Sequence, residues 1–349
     1  MKKILIIGSS GYIGSYLTNF LQSKSMEVLG VDNNLYGNTF VKNYRNNNLN
    51  MDIRDIDIKF LEKFDTVISL AALSNNPINK KKQKAPYDVT KNYTKNLATK
   101  ISKIGNKLIF PSSCSVYGYL KSNQVADENT KTNPLTFYSK NKIEIENILK
   151  RLSIKNKLNC IIIRPATVFG YSPSIRFDLV INMLIGMAIT EKKIILNSDG
   201  EALRPFIHID DLANFFFKSV CYDKKNFLII NAGNNNYNFS IKDVAKKLSK
   251  MLSVNYFFSD KLTLSNLHKD DLIINKADKR SYRASFDLAS KEFNIKSSND
   301  FDKKLYKTYI DIKEILKKNN FYSKNFYRLN KMKYLINNKM LNIIKLKRL

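Results

Sequence analysis

Tyr138 and Lys142 lie four residues apart in the stretch Tyr138-Ser139-Lys140-Asn141-Lys142, and a serine-rich turn, Pro111-Ser112-Ser113-Cys114-Ser115-Val116-Tyr117-Gly118, ends twenty residues before Tyr138. On a helix, positions four apart share one face, so the phenol and the ammonium stand one turn from each other. A free tyrosine titrates at about pH 10. A neighbouring ammonium favours the phenolate and is expected to lower that value, and a cationic redox cofactor in the same site would add to the effect. Such a tyrosine can remove a hydroxyl proton while hydride leaves the same carbon, with a serine hydroxyl at the end of an adjacent strand holding the substrate oxygen. This chemistry requires a hydride acceptor.

A site for the acceptor is legible at the start of the chain. The apolar run at residues 4–7 ends in Gly8, Gly11 and Gly14, and Tyr12, Ile13, Tyr16, Leu17, Phe20 and Leu21 follow at helical spacing. This is a buried strand turning into a helix. The first glycine permits the tight turn, the second lets backbone approach a phosphate, and the third allows close helix–strand packing. The free N–H groups and positive end of the helix suit a pyrophosphate, which makes Gly8, Gly11, Tyr12, Ile13 and Gly14 the candidate residues for it. A second strand at 28–31 ends in Asp32, eighteen residues after Gly14. An acid there accepts hydrogen bonds from an adenosine ribose and repels a 2′-phosphate, so the expected cofactor is NAD.

Bringing these groups together needs a parallel sheet. Further strand signals recur at 66–70, 107–111 and 159–164, each preceded by a helix-like segment, with 87–104 and 136–152 reading as long helices. The alternation predicts an α/β fold, a Rossmann-type doubly wound parallel sheet. Past residue 170 it loosens: 178–189, 210–220 and 240–252 read as helices, the last opened by a serine cap, and 194–196 and 227–231 as strands. The expected organisation is an NAD-binding domain over 1–170, a smaller α/β substrate-binding lobe over 171–315 of which about 205–235 returns to the sheet, and a basic extension over 316–349. From Lys317 onward there are ten Lys and Arg and no Asp or Glu, and Leu329, Met332, Ile336, Met340 and Ile343 fall at helical spacing. Such a segment can lie on an anionic membrane surface or dock onto a partner, or it can be a helix packed on its own domain or a frayed extension, and the last pair is the reading adopted.

A chain of 349 residues favours two domains, and 44% hydrophobic residues is ordinary for a globular protein. No apolar run approaches the roughly 20 residues of a membrane span, and a strand from residue 3 leaves no room for a signal peptide. Cys114, Cys160 and Cys221 make neither a metal spacing nor a disulfide framework, so a reduced, cytoplasmic protein without a bound metal is expected. The net charge of +29 is spread along a chain rich in Lys, Asn, Ile, Phe and Tyr and lacking Trp, as an AT-rich coding sequence would produce. No nucleic-acid motif accompanies it, so a nucleic-acid partner is not expected. A basic surface would still steer an anionic nucleotide substrate.

Taken together and in this order, the motifs resemble the extended short-chain dehydrogenase/reductases, specifically the nucleotide-sugar epimerase/dehydratase group similar to UDP-glucose 4-epimerase. The matching pieces are Gly8-x-x-Gly11-x-x-Gly14, Asp32, Asp52-Ile53-Arg54-Asp55, Leu70-Ala71-Ala72, the serine-rich turn through Tyr117-Gly118, Tyr138-x-x-x-Lys142, Arg164-Pro165-Ala166-Thr167-Val168-Phe169-Gly170 and Arg204-Pro205-Phe206-Ile207-His208-Ile209-Asp210-Asp211. The resemblance implies that Asp52 and Ile53 edge the adenine, that Leu70, Ala71, Ala72 and Pro165 line the cofactor, that Lys142 holds the nicotinamide ribose and that Tyr138 is the acid/base. It places the catalytic hydroxyl at Ser113, with Ser112 as the neighbouring alternative. Arg204 matches an arginine that meets the sugar-nucleotide diphosphate, and Arg280 and Arg283 could add to it. Ser74, Thr167 and Asn182 are candidate polar contacts to substrate, whereas His208 reads as structural. A homodimer built on the 87–104 and 136–152 helices is also implied. Two departures, Ser69 and Thr90, stand where the group usually has His and Asn.

Absences narrow the reaction. Sugar 4,6-dehydratases of this group carry an Asp-Glu pair after the catalytic hydroxyl, where this chain has Cys114 and Ser115. Enzymes resembling GDP-fucose synthase use a Cys beside the Ser and a distant His, but neither His208 nor His268 falls where that partner is expected. Epimerisation at C4 through a transient 4-keto sugar needs only Ser113, Tyr138, Lys142 and NAD, on a nucleotide-diphosphate sugar, and is the expected function. A nucleotide 4-ketosugar reductase would use the same residues and is the alternative. A third reading, an idle relative binding RNA or an anionic membrane through its basic surface, is opposed by the intact triad.

Overall fold

The computed structural model describes residues 1–36, 40–41, 48–72, 85–121, 123–224, 226–259, 280–328, 330–331 and 334, the side chains of 85–88 excepted. The apolar runs form strands covered on both faces, as a parallel sheet requires. In chain order the first elements are β1 (Lys3–Ile7), α1 (Tyr12–Ser23), β2 (Glu27–Asp32), β3 (Leu49–Asn50), α2 (Ile58–Leu61), β4 (Thr66–Ser69), α3 (Ala85–Ile104), β5 (Lys107–Pro111), β6 (Val125–Ala126), α4 (Phe137–Asn156) and β7 (Cys160–Pro165). They are followed by β8 (Thr167–Phe169), α5 (Val180–Thr190), β9 (Lys193–Leu196), β10 (Leu203–His208), α6 (Ile209–Cys221), β11 (Phe227–Ala232), β12 (Asn238–Ser240), α7 (Ile241–Leu252), β13 (Asn255–Phe258), β14 (Arg283–Ala284), α8 (Asp287–Phe293) and α9 (Phe301–Leu316).

Seven strands make one sheet in the order β11-β7-β5-β4-β1-β2-β3. All its pairings are parallel. Strand order reverses on either side of β1, and ligands of open α/β sheets bind in the crevice beyond the carboxyl ends at such a switch point. Side chains alternate across the sheet, so Ile4 and Ile6 pack with Leu17, Leu21 and Phe215 of α1 and α6, while Leu5 and Ile7 pack with Leu97, Ile101, Ile145 and Leu149 of α3 and α4.

A third core is built by buried residues from Phe169 onward. Phe169, Phe206, Leu184, Leu248 and Leu305 bury against one another there, joined by Phe321, Phe326 and Tyr327 from beyond α9. Within residues 205–235, β11 pairs with β7 in the main sheet, whereas β10 joins β8 and β12 in a separate three-stranded sheet. No helix among the described residues is long and apolar enough to cross a membrane. Ser74, His268 and the apolar positions Leu329, Met332, Ile336, Met340 and Ile343 of the basic extension lie outside the described residues.

Candidate active site

The turn after β1 is built around its glycines. Gly8 has φ +90°, and a Cβ there would stand 2.6 Å from the Ala71 backbone nitrogen, so the loop after β4 crosses directly over it. A Cβ on Gly14 would meet the Gly8 carbonyl oxygen at 2.2 Å, which fixes the close approach of α1. At Gly11 a Cβ would meet only the Gly8 oxygen, at 3.3 Å, leaving room for a ligand. Gly11 caps α1 without any side-chain hydrogen bond, so the first N–H groups of the helix are left for a ligand as well.

Asp32, at the end of β2, accepts hydrogen bonds from the backbone amides of Ser10 (3.0 Å) and Asn34 (2.8 Å), and burial holds its carboxyl above the ordinary value. Asp52 accepts from the Arg54 side chain, which holds its carboxyl below the ordinary value, and Ile53 packs against the core beneath the sheet. Leu70, whose amide donates to the Ile7 carbonyl (2.8 Å), leads Ala71 and Ala72 past the glycine turn, and Pro165 is buried at the end of β7. An open glycine turn, an uncapped helix end and a buried acid at the tip of β2 fit a dinucleotide.

The start of α4 is set by a capping box between Thr136 and Ser139, which puts Tyr138 in the first turn. Lys142 is buried; its Nζ donates to the Pro111 carbonyl (2.6 Å) and sits 4.5 Å from the Phe110 ring centroid and 5.5 Å from that of Tyr138. One ammonium therefore ties α4 to the end of β5, immediately before Ser112 and Ser113. Burial pushes Lys142 down to about 7, with the Glu146 carboxylate acting the other way. Burial raises the Tyr138 pKa, and Arg176 and Arg280 offset this only in part, so the protein's own side chains do not produce the expected lowering. The desolvation of a buried phenolate outweighs the nearby cations.

The two serines differ. Ser112 is buried, and its hydroxyl has no hydrogen-bond partner among the described residues. Ser113 caps the short turn Cys114–Tyr117, its Oγ accepting from the Ser115 amide at 3.1 Å. That bond uses a lone pair and leaves the Ser113 hydroxyl hydrogen available to a substrate oxygen. Behind them, Arg164 grips Glu146 through Nε (3.0 Å) and Nη2 (2.6 Å) and donates through Nη1 to the Tyr117 hydroxyl (3.0 Å). The fully buried Cys114 thiol donates to the Arg164 carbonyl (3.0 Å), and burial raises its pKa.

Among the residues expected to meet substrate, the buried Arg204 donates through Nη1 to the carbonyls of Leu203 (2.7 Å) and Arg280, with its guanidinium 5.4 Å from the Tyr282 ring centroid. Arg204 and Arg280 are thereby brought together, and Arg283 follows on β14. Thr167 is half-buried on β8, opposite Phe206. Asn182 is fully buried, accepting from the Gly170 amide (3.0 Å) and donating to the carbonyls of Gly170 (3.3 Å) and Arg176 (3.1 Å), so it braces the 170–176 loop. His208 is buried, caps α6 and packs edge-on against Phe169. Arg176, Glu146, Tyr36 and Arg328 were not singled out from the sequence. Glu146 carried a usable signal, standing four residues after Lys142 on the same face of the helix.

The NAD dependent epimerase/dehydratase family matches residues 4–233. The chain belongs to this family. Its cofactor is NAD, and it is an enzyme of the epimerase/dehydratase kind. It is 26% identical over 280 residues to the bifunctional polymyxin resistance protein ArnA of Wigglesworthia glossinidia brevipalpis, a match covering 73% of this chain and 42% of that protein. It is 28% identical over 289 residues to a UDP-glucuronate 4-epimerase of Thermodesulfobacterium geofontis, covering 78% and 87% of the two chains. Among solved structures, the UDP-glucuronic acid 4-epimerase of Bacillus cereus in complex with NAD superposes with a TM-score of 0.72 at 25% identity, over 92% of this chain and 99% of that one.

Proposed function

We propose that this family member is an NAD-dependent nucleotide-sugar epimerase acting at C4 through a transient 4-keto sugar. The observation that carries the reading is the makeup of the site beyond Ser113, Tyr138 and Lys142. A dehydratase needs a further acid and base beside the catalytic hydroxyl. Here those positions hold Ser115 and the neutral, buried Cys114, whose thiol is bound to the Arg164 carbonyl. His208 is committed to capping α6 and does not serve as a distant acid.

NAD, when bound, supplies the hydride acceptor and a positive nicotinamide ring that favours the Tyr138 phenolate. Tyr138 takes the C4 hydroxyl proton as hydride departs from the same carbon, while Ser113 donates to the developing carbonyl oxygen and Lys142 holds the ribose and supports the phenolate. After the keto sugar has turned over, hydride returns to its opposite face and Tyr138 gives the proton back. Arg204 and Arg280 are proposed to hold the diphosphate, consistent with the planar recognition of phosphate by arginine. Assembly as a homodimer through the outer faces of α3 and α4, where Lys91 pairs with Glu144 and Ile154 is exposed, belongs to the same proposal.

The test offers the purified protein UDP-, GDP-, dTDP- and CDP-sugars, including 4-keto forms, while nicotinamide absorbance is followed. Inverted sugar without net change in NADH supports the epimerase. Stoichiometric NADH loss would mark a ketosugar reductase instead.

A further inference from the structure

Beyond α9 the chain folds back and delivers a guanidinium to the cofactor side of the molecule. Phe321 occupies the space beside Gly186, where a Cβ would come within 2.1 Å of its ring. Phe177 packs on Phe321 (4.9 Å between ring centroids) and on Phe326 (5.2 Å), and its amide donates to the Phe326 carbonyl at 3.0 Å. Two residues past this anchor stands Arg328, only 5% exposed.

Three contacts define its place. The Arg328 backbone amide donates to Asp178 (3.3 Å), Nη2 donates to the Ser174 hydroxyl (2.6 Å), and the guanidinium lies 4.8 Å from the Tyr36 ring centroid. Tyr36 is four residues beyond Asp32, in the turn after β2. The Ser174 amide donates to Ser15 Oγ (3.3 Å), and the Ser172 hydroxyl donates to the Tyr12 carbonyl (2.6 Å), both in the opening turns of α1. Arg328 thus links the turn after β2 to the loop at 170–176, which in turn leans on α1. A second guanidinium, Arg176, lies on the same side and grips both oxygens of Asp178 (2.8 and 3.0 Å).

We infer that Arg328 binds the pyrophosphate of the dinucleotide, with Arg176 behind it, so that the segment after α9 forms part of the cofactor site. The physical reason is charge. Burial and the neighbouring Arg176 push Arg328 down to about 10, while Asp32 and Asp178 pull the other way. A guanidinium held out of water, with a second guanidinium acting on it, favours an anion placed beside it. Guanidinium is also the side chain best matched to phosphate oxygens. The inference rests on the dinucleotide site alone and not on the sugar chemistry proposed above.

Equilibrium titrations of the full chain and of Arg328→Gln with NAD, ADP-ribose, adenosine and UDP test it. The expected result is a loss of about tenfold in affinity for NAD and ADP-ribose, the worth of one charge-assisted hydrogen bond, with adenosine unchanged and partial recovery in Arg328→Lys. Unchanged NAD affinity with a lower melting temperature would make Arg328 a brace only and overturn the inference. Weaker UDP binding with ADP-ribose unaffected would place the guanidinium at the substrate diphosphate and overturn it too. Should Arg328→Gln fail to fold, hydrogen exchange on the unaltered chain decides: ADP-ribose must protect the amides of 326–328 more than adenosine does, and equal protection contradicts the assignment.

Discussion

Glu146 and Arg164 form a two-point ion pair, 3.0 and 2.6 Å, one helical turn beyond Lys142 and almost wholly out of water. The Glu146 carboxylate therefore has two effects: it neutralises a buried guanidinium, and it supports the charge on Lys142. Removing one partner of a buried pair leaves the other charge uncompensated, at a cost of about 3–5 kcal/mol. Glu146→Gln should lower stability by that order in denaturant unfolding. In whatever folds, the Lys142 titration should move below about 7, read by NMR of labelled lysine side chains. A Lys142 midpoint that stays put would show that Glu146 only supports the helix.

Lys142 itself gives the ligand-free protein a pH dependence. Its folded value, about 7, lies below the ordinary 10.5, so between these values the unfolded chain binds more protons than the folded one. Stability from this group therefore rises with pH across that window and is penalised in full below it. Lys142→Met should abolish turnover, flatten the dependence and stabilise the ligand-free protein near neutral pH. Unfolding midpoints measured at several pH values check this, and a Lys142→Met variant no more stable than the parent would contradict the assigned burial.

Cys114 lies beside Ser113, the proposed catalytic hydroxyl, yet takes no chemical part in the proposed reaction. Cys114→Ala removes one buried thiol and its bond to the Arg164 carbonyl. It should cost about 1–2 kcal/mol of stability while leaving turnover within a few-fold of the parent. A fall in turnover as deep as that of Tyr138→Phe would return the thiol to the mechanism.

Gly8→Ala tests the cofactor turn. At φ +90° any Cβ is strained, and this one would lie 2.6 Å from a backbone nitrogen of the loop after β4. Expected are a loss of about 1–3 kcal/mol in stability and a sharp drop in NAD affinity measured by titration. Unimpaired binding would mean that the two loops need not touch to hold the cofactor.

What was legible in the sequence is what short spacings encode. The three glycines, Asp32 and the Tyr138–Lys142 pair each lie within one local element, and the apolar runs match the observed strands to within a residue or two. The acid/base electrostatics were less accessible, because the direction of the Tyr138 shift depends on burial by distant elements. Glu146 had the helical spacing, but its partner Arg164 sits on a strand, β7, eighteen residues further along the chain. Arg328 reaches Asp178 across 150 residues of chain, a contact no local pattern announces. The small pairings β6–β14 and β9–β13, and the helices α8 and α9, went unread because their segments are short or mixed in periodicity.

The central claim is inversion at C4 by removal and return of the same hydride. The most direct measurement uses a nucleotide sugar deuterated at C4, once a turned-over substrate is in hand, with the product read by NMR. Expected is inverted product that keeps deuterium at C4, made without net NADH and not at all by Tyr138→Phe. Loss of the label to solvent, or inversion at another carbon with the C4 configuration untouched, would contradict it.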